Sequence, residues 1–331
     1  MLKVETRYVV GALLLATSGV MVAGPAQAAA PTGPGMVKCP RATKTVGTAS
    51  QLKIALAGAR AGDVIKLRPG IYRGNFVAQK SGTQSRPIFV CGTAKSIIEG
   101  GGPKGGYGFH INKGNYWRLV GFTVRKSQKG VMADRTRGSV IQSLTVHSIG
   151  DEAIHLRNFS TKNIVQYNRI YNTGLRQPKF GEGVYIGSAE SNWKKYTGGQ
   201  MDRSDGNWVR GNEIKSTAEA IDIKEGTSGG WIVGNVFDGS ALVNDGTNDS
   251  WVDVKGNDYV IENNRGRRTP LDGFQTHEIV DGWGTGNVFR RNVINLSGAK
   301  GVGVNDTVGG NTIACDNKVT GGPLLKKGAC S

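Results

Sequence analysis

Beyond its first thirty residues the sequence has no apolar run long enough to cross a bilayer, which takes about 20 consecutive apolar residues. It also lacks a CxxC pair and any cysteine–histidine spacing typical of zinc sites. Neither interleaved aromatic residues that would stack on single-stranded nucleic acid nor a recognition helix is present. These absences argue against an integral membrane protein, a zinc-stabilised domain and a nucleic-acid-binding protein.

Residues 1–30 have the three parts of a secretory signal peptide. Lys3 and Arg7 form a basic start, "VVGALLLATSGVMVAG" is the apolar region, and "AQA" at 26–28 is a small-residue cleavage site. Cleavage after Ala28 and after Ala30 fit equally well, and a retained anchor is the alternative. The sequence therefore predicts a secreted, extracellular protein with a single domain over 31–331 and no membrane attachment after the signal is removed.

Cysteine is scarce, and all four copies lie beyond the signal segment: Cys39, Cys91, Cys315 and Cys330. An even number in an exported chain indicates disulfides. The spacing favours Cys39–Cys91 and Cys315–Cys330, while the other pairings stay open.

Acidic residues are outnumbered, and the formal net charge is +17. A strongly basic exported chain indicates an acidic partner, such as a uronate-containing or sulfated polysaccharide or a cell wall. Extracellular nucleic acid fits less well for the reasons given above. The alternative is a basic surface that only keeps the protein soluble.

Short apolar segments with a spacing of two recur along the chain, separated by Gly and Asn; "AIHL" (153–156), "AIDI" (220–223) and "WVDV" (251–254) are examples. Asn recurs mostly every twenty-odd residues, at Asn168, Asn212, Asn235, Asn263, Asn292 and Asn317. Short strands, tight turns and a column of buried Asn predict an all-β fold, a right-handed parallel β-helix. A β-propeller or a sandwich explains the pattern less well, because hairpin signals between alternating runs are missing.

Two segments depart from this repeat. "ASQLKIALAGARAGD" predicts a helix over 50–60 with Ser50 as its N-cap and Gly62 as its stop, and we expect it to cover the first coil. Residues 188–207 are predicted to form a loop insertion.

Side chains alternate along a strand, so stacking the coils creates two outward columns. The first holds His155, Tyr185, Asp222, Asp253 and Gln275; the second holds Arg157, Gly187, Lys224, Lys255 and His277. The two Asp-Lys pairs would then form one patch on successive coils. Stacked lysines repel each other, which predicts a lowered lysine pKa and favours a functional site. The alternative is a solvated face of alternating charges.

Two stretches of the chain resemble the β-helix polysaccharide lyases, most closely the alginate lyase and chondroitin B lyase family and more loosely the β-helix pectate lyases. "LKIALAGARAGDVIKLRPGIYRG", followed by "KSGTQSRPIFVCG", is similar to that family's opening cap and first coil. In "EAIDIK", Glu219 precedes Lys224 as in a family strand of Glu, two aliphatic residues, two variable residues and Lys.

The resemblance implies that Glu219 helps to hold Ca²⁺ and that Lys224 is the catalytic base. The family's proton donor is an Arg one coil further on, where this chain presents Lys255. Its second acidic calcium ligand falls on Thr217 here, so Asp222 and Asp253 become the other candidate calcium ligands, more in the manner of the pectate lyases.

The chemistry of β-elimination needs these residue types. The C5 proton of a uronate is weakly acidic until Ca²⁺ or a cationic side chain neutralises the neighbouring carboxylate, after which a base removes it. Lys224 is predicted to be the base, and Lys255 to neutralise the carboxylate or protonate the leaving oxygen. The predicted substrate-binding residues are Arg157, His155, Tyr185, His277, Trp193, Lys194 and Lys195.

The sequence thus predicts a secreted, monomeric lyase that cleaves an acidic, uronate-containing polysaccharide. One alternative is a glycoside hydrolase on the same fold, with Asp222 and Asp253 as its paired carboxylates. The signatures of the polygalacturonases are absent, however. The other alternative is a non-catalytic protein that binds wall polysaccharide or a host, because a fold does not determine a function.

Overall fold

Short parallel strands dominate the computed structural model, which describes residue 2 and residues 35–331. The predicted signal peptide lies, apart from residue 2, outside the described residues. Within the described part, thirty strands of two to six residues follow one another. In chain order they are β1 Lys44–Val46, β2 Val64–Leu67, β3 Gly70–Arg73, β4 Phe76–Ala78, β5 Ile88–Cys91, β6 Ser96–Glu99, β7 Tyr107–Asn112, β8 Trp117–Val120, β9 Thr123–Arg125, β10 Lys129–Asp134, β11 Val140–Gln142, β12 Thr145–His147, β13 Ile154–Arg157, β14 Ile164–Gln166, β15 Arg169–Tyr171, β16 Val184–Ile186, β17 Trp208–Arg210, β18 Glu213–Lys215, β19 Ile221–Ile223, β20 Trp231–Val233, β21 Val236–Asp238, β22 Ser250–Val254, β23 Val260–Glu262, β24 Arg265–Arg267, β25 Asp272–Thr276, β26 Val288–Arg290, β27 Val293–Asn295, β28 Val304–Asp306, β29 Thr312–Ile313 and β30 Lys318–Thr320.

The strands form three parallel sheets that run the length of the described chain. The first has the order β1-β2-β5-β8-β11-β14-β17-β20-β23-β26-β29, the second β3-β6-β9-β12-β15-β18-β21-β24-β27-β30, and the third β28-β25-β22-β19-β16-β13-β10-β7-β4. Each full coil therefore contributes one strand to each sheet. This arrangement confirms the predicted parallel β-helix.

The predicted helix is present as α1, Ala49–Ala57, but its ends differ from the prediction. The Thr48 side chain, not that of Ser50, accepts a hydrogen bond from the Gln51 N–H, and the C-cap is Gly58 rather than a residue near Gly62. The earlier Thr supplies the same hydroxyl two positions sooner, so the helix begins one residue earlier, and it ends at Ala57, three residues before the predicted end. It contacts β1, β3 and β4, the end strand of each sheet, as expected for a cover over the first coil.

A ladder of buried asparagines fixes the turn between the first and second sheets. The Oδ1 atom of Asn235 accepts hydrogen bonds from the backbone N–H and the amide of Asn212, and its own amide donates to Val209 O and Asn264 Oδ1. The same bonds join Asn168 to Asn212, Asn264 to Asn292, and Asn292 to Asn317.

One predicted member of this ladder was wrong, because Asn264 takes the place given to Asn263. Asn263 occupies the preceding position, where the backbone is left-handed (φ 56°) and which Gly211 and Gly234 fill on earlier coils. Asn tolerates that conformation better than most residues, so two adjacent asparagines serve two different purposes.

Both favoured disulfides are present, Cys39–Cys91 and Cys315–Cys330, and no described cysteine is free. The insertion after β16 contains a 3-10 helix, Glu190–Asn192, and a short helix α2, Trp193–Tyr196. Two further 3-10 helices, Pro178–Phe180 and Gly239–Ala241, precede β16 and β22. Among the described residues, no helix combines the length and apolarity that a membrane span requires.

Candidate active site

The register of the third sheet confirms the first predicted column. His155 pairs with Tyr185, Tyr185 with Asp222, Asp222 with Asp253, and Asp253 with Gln275. Outward side chains of successive coils therefore stack at the strand spacing of about 4.8 Å.

The second column also forms, one step beyond the strand ends. The backbone N–H of Lys224 donates to Ile186 O, and that of Lys255 donates to Ile223 O, at 2.9 and 2.8 Å. These bonds continue the parallel ladder past β19 and β22, so the two lysines follow their aspartates on adjacent coils.

A cleft of about 1050 Å³ lies over this face of the third sheet. Its floor includes Tyr185, Asp222, Lys224, Asp253 and Lys255. Gln275 and His277 also line the cleft, on the next coil. The connections before and after β16 and the connection before β22 add wall residues, which are Lys179, Phe180, Lys195, Tyr196, Thr247, Asn248 and Asp249. The third sheet thus presents the predicted Asp-Lys patch at the bottom of an open groove.

Asp222 lies between two ammonium groups. Lys224 Nζ is 2.7 Å from Asp222 Oδ2, and Lys255 Nζ is 2.8 Å from Asp222 Oδ1. Lys255 also contacts Asp253 at 3.0 Å, and His277 Nε2 lies 3.5 Å from the same carboxylate. The side chains of Asp222 and Asp253 are only 3% and 6% exposed, so these contacts are shielded from water.

The expectation of a lowered lysine pKa was wrong. Burial favours the neutral amine, but the Asp222 carboxylate outweighs burial and raises the pKa of Lys224 above its ordinary value. The pKa of Lys255 is raised in the same way, by Asp222 and Asp253 against burial. The sequence analysis considered only the repulsion between the two lysines. In the structure each ammonium also contacts a carboxylate, and this attraction is stronger than the repulsion between the lysines.

A third column, which the sequence analysis missed, consists of glutamates. Glu152, Glu182 and Glu219 occupy the same position on three successive coils, because the N–H of Ala153 donates to Glu182 O and that of Gly183 donates to Glu219 O. All three are buried. The signal was available in the repeats "EAIHL", "EGVYI" and "EAIDI", which place a Glu three residues before His155, Tyr185 and Asp222, the first three members of the first column.

The carboxyl groups of Glu182, Glu219 and Asp222 lie close enough to share a cation, with ligand oxygens within 4.8 Å of one another. Burial and the neighbouring carboxylates raise the pKa of Glu182 and of Glu219 well above the ordinary value. The Oε2 atom of Glu182 is buried and has no hydrogen-bond partner. The group contains Glu182 and not Asp253, the third predicted calcium ligand; Asp253 contacts Lys255 and accepts a hydrogen bond from the Ser250 hydroxyl at 2.7 Å.

Tyr185 lies between His155 and Asp222 in the first column. Its ring centroid is 4.4 Å from that of His155, and the Lys224 ammonium lies 5.0 Å from the Tyr185 ring. Burial, followed by the charge of Asp222, raises the pKa of the Tyr185 phenol well above its ordinary value. Tyr185 is thus a protonated phenol that lines the cleft beside Lys224.

Four of the predicted substrate-binding residues do not line the cleft. Arg157 is buried against Asp134 at 2.8 Å and beneath the Tyr196 ring, 3.8 Å from its centroid. His155 is buried below Tyr185 and contacts the Gly187 carbonyl oxygen at 2.9 Å. In the insertion, the Trp193 indole donates to the Ser188 carbonyl oxygen, and Lys194 is exposed outside the cleft. Tyr185, His277 and Lys195 remain as cleft residues.

No family model matches the sequence, and no match was found among curated proteins. Among solved structures, an alginate lyase from Paenibacillus sp. str. FPU-7 is 37% identical, with 87% of this chain and 99% of that chain covered and a TM-score of 0.81. Pectate lyase Pel9A is 14% identical over 88% of this chain and 79% of that chain, with a TM-score of 0.61. PfbA, a surface adhesin of Streptococcus pneumoniae, is 14% identical over 83% of this chain and 74% of that chain, with a TM-score of 0.59. The last two likenesses show the fold alone.

Proposed function

The chain belongs to the parallel β-helix polysaccharide lyases, the family of the Paenibacillus alginate lyase, and we propose that it cleaves a uronate-containing polysaccharide in the cleft on its third sheet. The observation that carries the proposal is the stack of Asp222 and Asp253 with Lys224 and Lys255, joined by contacts of 2.7–3.0 Å at the floor of that cleft. Two ammonium groups at the floor of the cleft support the proposal, because an anionic sugar would be attracted to them.

Lys255 is suited to hold the carboxylate of the reacting sugar. It bridges Asp222 and Asp253, is 10% exposed, and keeps its proton because both carboxylates stabilise the charge. A fixed positive charge at the carboxylate stabilises the enolate-like anion that forms when the C5 proton leaves.

Lys224 is suited to receive the C5 proton. It has one carboxylate partner instead of two, and its side chain is 14% exposed at the cleft, so it exchanges its proton with the cleft more readily than Lys255. A lysine accepts a proton only in its neutral form, and the raised pKa keeps that form scarce near neutrality. Activity should therefore increase as the pH rises above neutral.

Tyr185 is suited to protonate the departing O4 oxygen. Its phenol stays protonated, because burial and Asp222 raise its pKa, and it lines the cleft next to Lys224. A donor and an acceptor on neighbouring coils allow the C5 proton to leave and O4 to be protonated within one bound sugar unit.

The acidic group is suited to Ca²⁺. Glu182 and Glu219 each contribute a carboxyl oxygen to the group. The Glu182 Oε2 atom is buried and has no hydrogen-bond partner, and a bound cation would supply the missing partner. Asp222 would be the third ligand, although both of its oxygens already contact lysines. When bound, the ion would supply positive charge for the substrate carboxylate.

A hydrolase that uses Asp222 and Asp253 as its paired carboxylates fits the site poorly. An inverting or retaining glycosidase needs one carboxylic acid that is protonated at working pH. Burial would raise the pKa values of Asp222 and Asp253, but Lys224 and Lys255 outweigh it, and both pKa values lie below the ordinary value. Both groups are therefore carboxylates.

We further propose that the protein is exported and that alginate is its substrate. Two disulfides support an oxidising compartment, and the alginate lyase that resembles this chain over nearly its whole length supports the polymer. The test is ultraviolet absorbance on alginate, pectate and glycosaminoglycans, because elimination leaves an absorbing unsaturated uronate and hydrolysis does not. Release of reducing ends without absorbance would indicate a hydrolase, and no release from any polymer would favour a binding protein.

A further inference from the structure

Two lysines outside the proposed catalytic group stand at the sides of the cleft. Lys179 lies in the 3-10 helix of the connection from β15 to β16, and Lys195 lies in α2, in the connection from β16 to β17. Both line the cleft. Because the two connections enter and leave β16 at its opposite ends, the lysines flank the cleft on opposite sides of the same coil.

These two lysines form no ion pair in the described part of the chain, whereas other basic groups of the cleft form ion pairs with carboxylates. Lys129 contacts Glu152, Arg176 contacts Asp151, and the two catalytic lysines contact Asp222. In the described part of the chain, neither Lys179 nor Lys195 has a carboxylate within ion-pair distance, and both are exposed. An anionic ligand would therefore meet their charge without displacing a protein carboxylate.

Each of the two lysines is next to an aromatic ring that also lines the cleft. Lys179 Nζ lies 5.0 Å from the Phe180 ring, and Lys195 Nζ lies 5.0 Å from the Tyr196 ring. Tyr196 is held in turn by the Arg157 guanidinium, 3.8 Å from its ring centroid. A cation beside an apolar ring suits an acidic sugar, which has a carboxylate at one edge and C–H groups on its faces.

We propose that Lys179 and Lys195 form a two-sided clamp that binds the carboxylates of uronate residues next to the one that reacts. This inference rests on the proposed function. The two lysines lie in the connections before and after β16, and Lys224 follows β19 on the adjacent coil. Strands of adjacent coils are about 4.8 Å apart, close to the length of one sugar unit. A polyuronate carries a carboxylate on every sugar, so a chain with one residue at Lys224 brings its neighbours' carboxylates to the clamp.

The test compares Lys179→Gln, Lys195→Gln and the double variant with Lys318→Gln, each measured for kcat and KM on alginate. Lys318 is exposed on β30 of the second sheet, so its substitution removes the same charge away from the cleft. Each clamp substitution should raise KM about fivefold and leave kcat unchanged. A change of about fivefold corresponds to the largest free energies that exposed ion pairs usually contribute. The KM of the double variant should also depend less on salt than that of the wild type.

Three outcomes would overturn the clamp: an unchanged KM in the double variant, an equal rise in Lys318→Gln, or a fall in kcat at constant KM. Retardation by immobilised alginate gives a second readout that does not depend on catalysis, and it should weaken in the double variant and not in Lys318→Gln. If the wild-type protein forms no unsaturated product, the proposed function fails, but this retardation still tests the clamp.

Discussion

Replacing Asp222 by Asn should destabilise the protein strongly, because this buried carboxylate is shared by two lysines. The contacts are 2.7 Å to Lys224 and 2.8 Å to Lys255, and the Asp222 side chain is 3% exposed. Removing one partner from a buried ion pair costs about 3–5 kcal/mol, since the remaining charge is left without compensation. Lys255 keeps Asp253 at 3.0 Å, so most of the loss falls on Lys224.

Urea unfolding followed by tryptophan fluorescence measures this loss. Asp238→Asn is a matched control, because Asp238 also contacts two cations, Arg267 and Arg268, but at an exposed site where a pair contributes about 1 kcal/mol or less. The double variant Asp222→Asn with Lys224→Met should recover part of the stability, because it removes a charge together with its partner. If Asp222→Asn unfolds at the same urea concentration as Asp238→Asn, the shielded ion-pair stack is refuted.

The remaining predictions concern acid stability, metal and thiols. Burial opposes the charge of Asp134, but His110 and Arg157 outweigh it and lower its pKa from 3.8 to about 2, so its contribution is present above pH 3.8 and lost as the pH falls toward 2. That contribution is about 2 kcal/mol, and acid titration of Asp134→Asn should show a correspondingly smaller loss of stability than the wild type over this range. A chelator should lower lyase activity, and Ca²⁺ but not Na⁺ should restore it. Full activity in excess chelator would contradict a role for Ca²⁺ and would mean that Lys255 and its neighbours neutralise the substrate carboxylate. Thiol titration of the denatured, unreduced protein should find no free cysteine, and two or more free thiols would contradict both disulfides.

The fold could be predicted because its determinants are local and repeated. Alternating apolar residues and the recurrent Asn specify a coil, and stacking the coils gives the register that brings Asp222 next to Asp253. The prediction assigned Asn263 to the ladder, one residue before Asn264, which occupies it. The sequence could not distinguish the two, because Asn suits both the left-handed position and the ladder position that follows it.

The electrostatics of the site could not be predicted to the same extent. A lysine pKa depends on distances to several charges, and sequence spacing does not reveal that Lys255 reaches Asp222 on the preceding coil. Arg157 sits in the outward column, yet α2 folds back over it through Tyr196, and insertions of this kind carry no repeat from which their path can be inferred. The glutamate column, by contrast, was visible in the sequence as a Glu that stands three positions before His155, Tyr185 and Asp222.

The most direct test of the account is the ultraviolet absorbance produced from alginate by Lys224→Ala, with folding verified by urea unfolding. General base catalysis contributes about 10²–10⁴-fold, so kcat should fall at least that far, and Lys224→Arg should not restore it because a guanidinium does not release its proton at working pH. Near-normal product formation by Lys224→Ala would show that Lys224 is not the base and that the stacked Asp-Lys patch only binds the polymer.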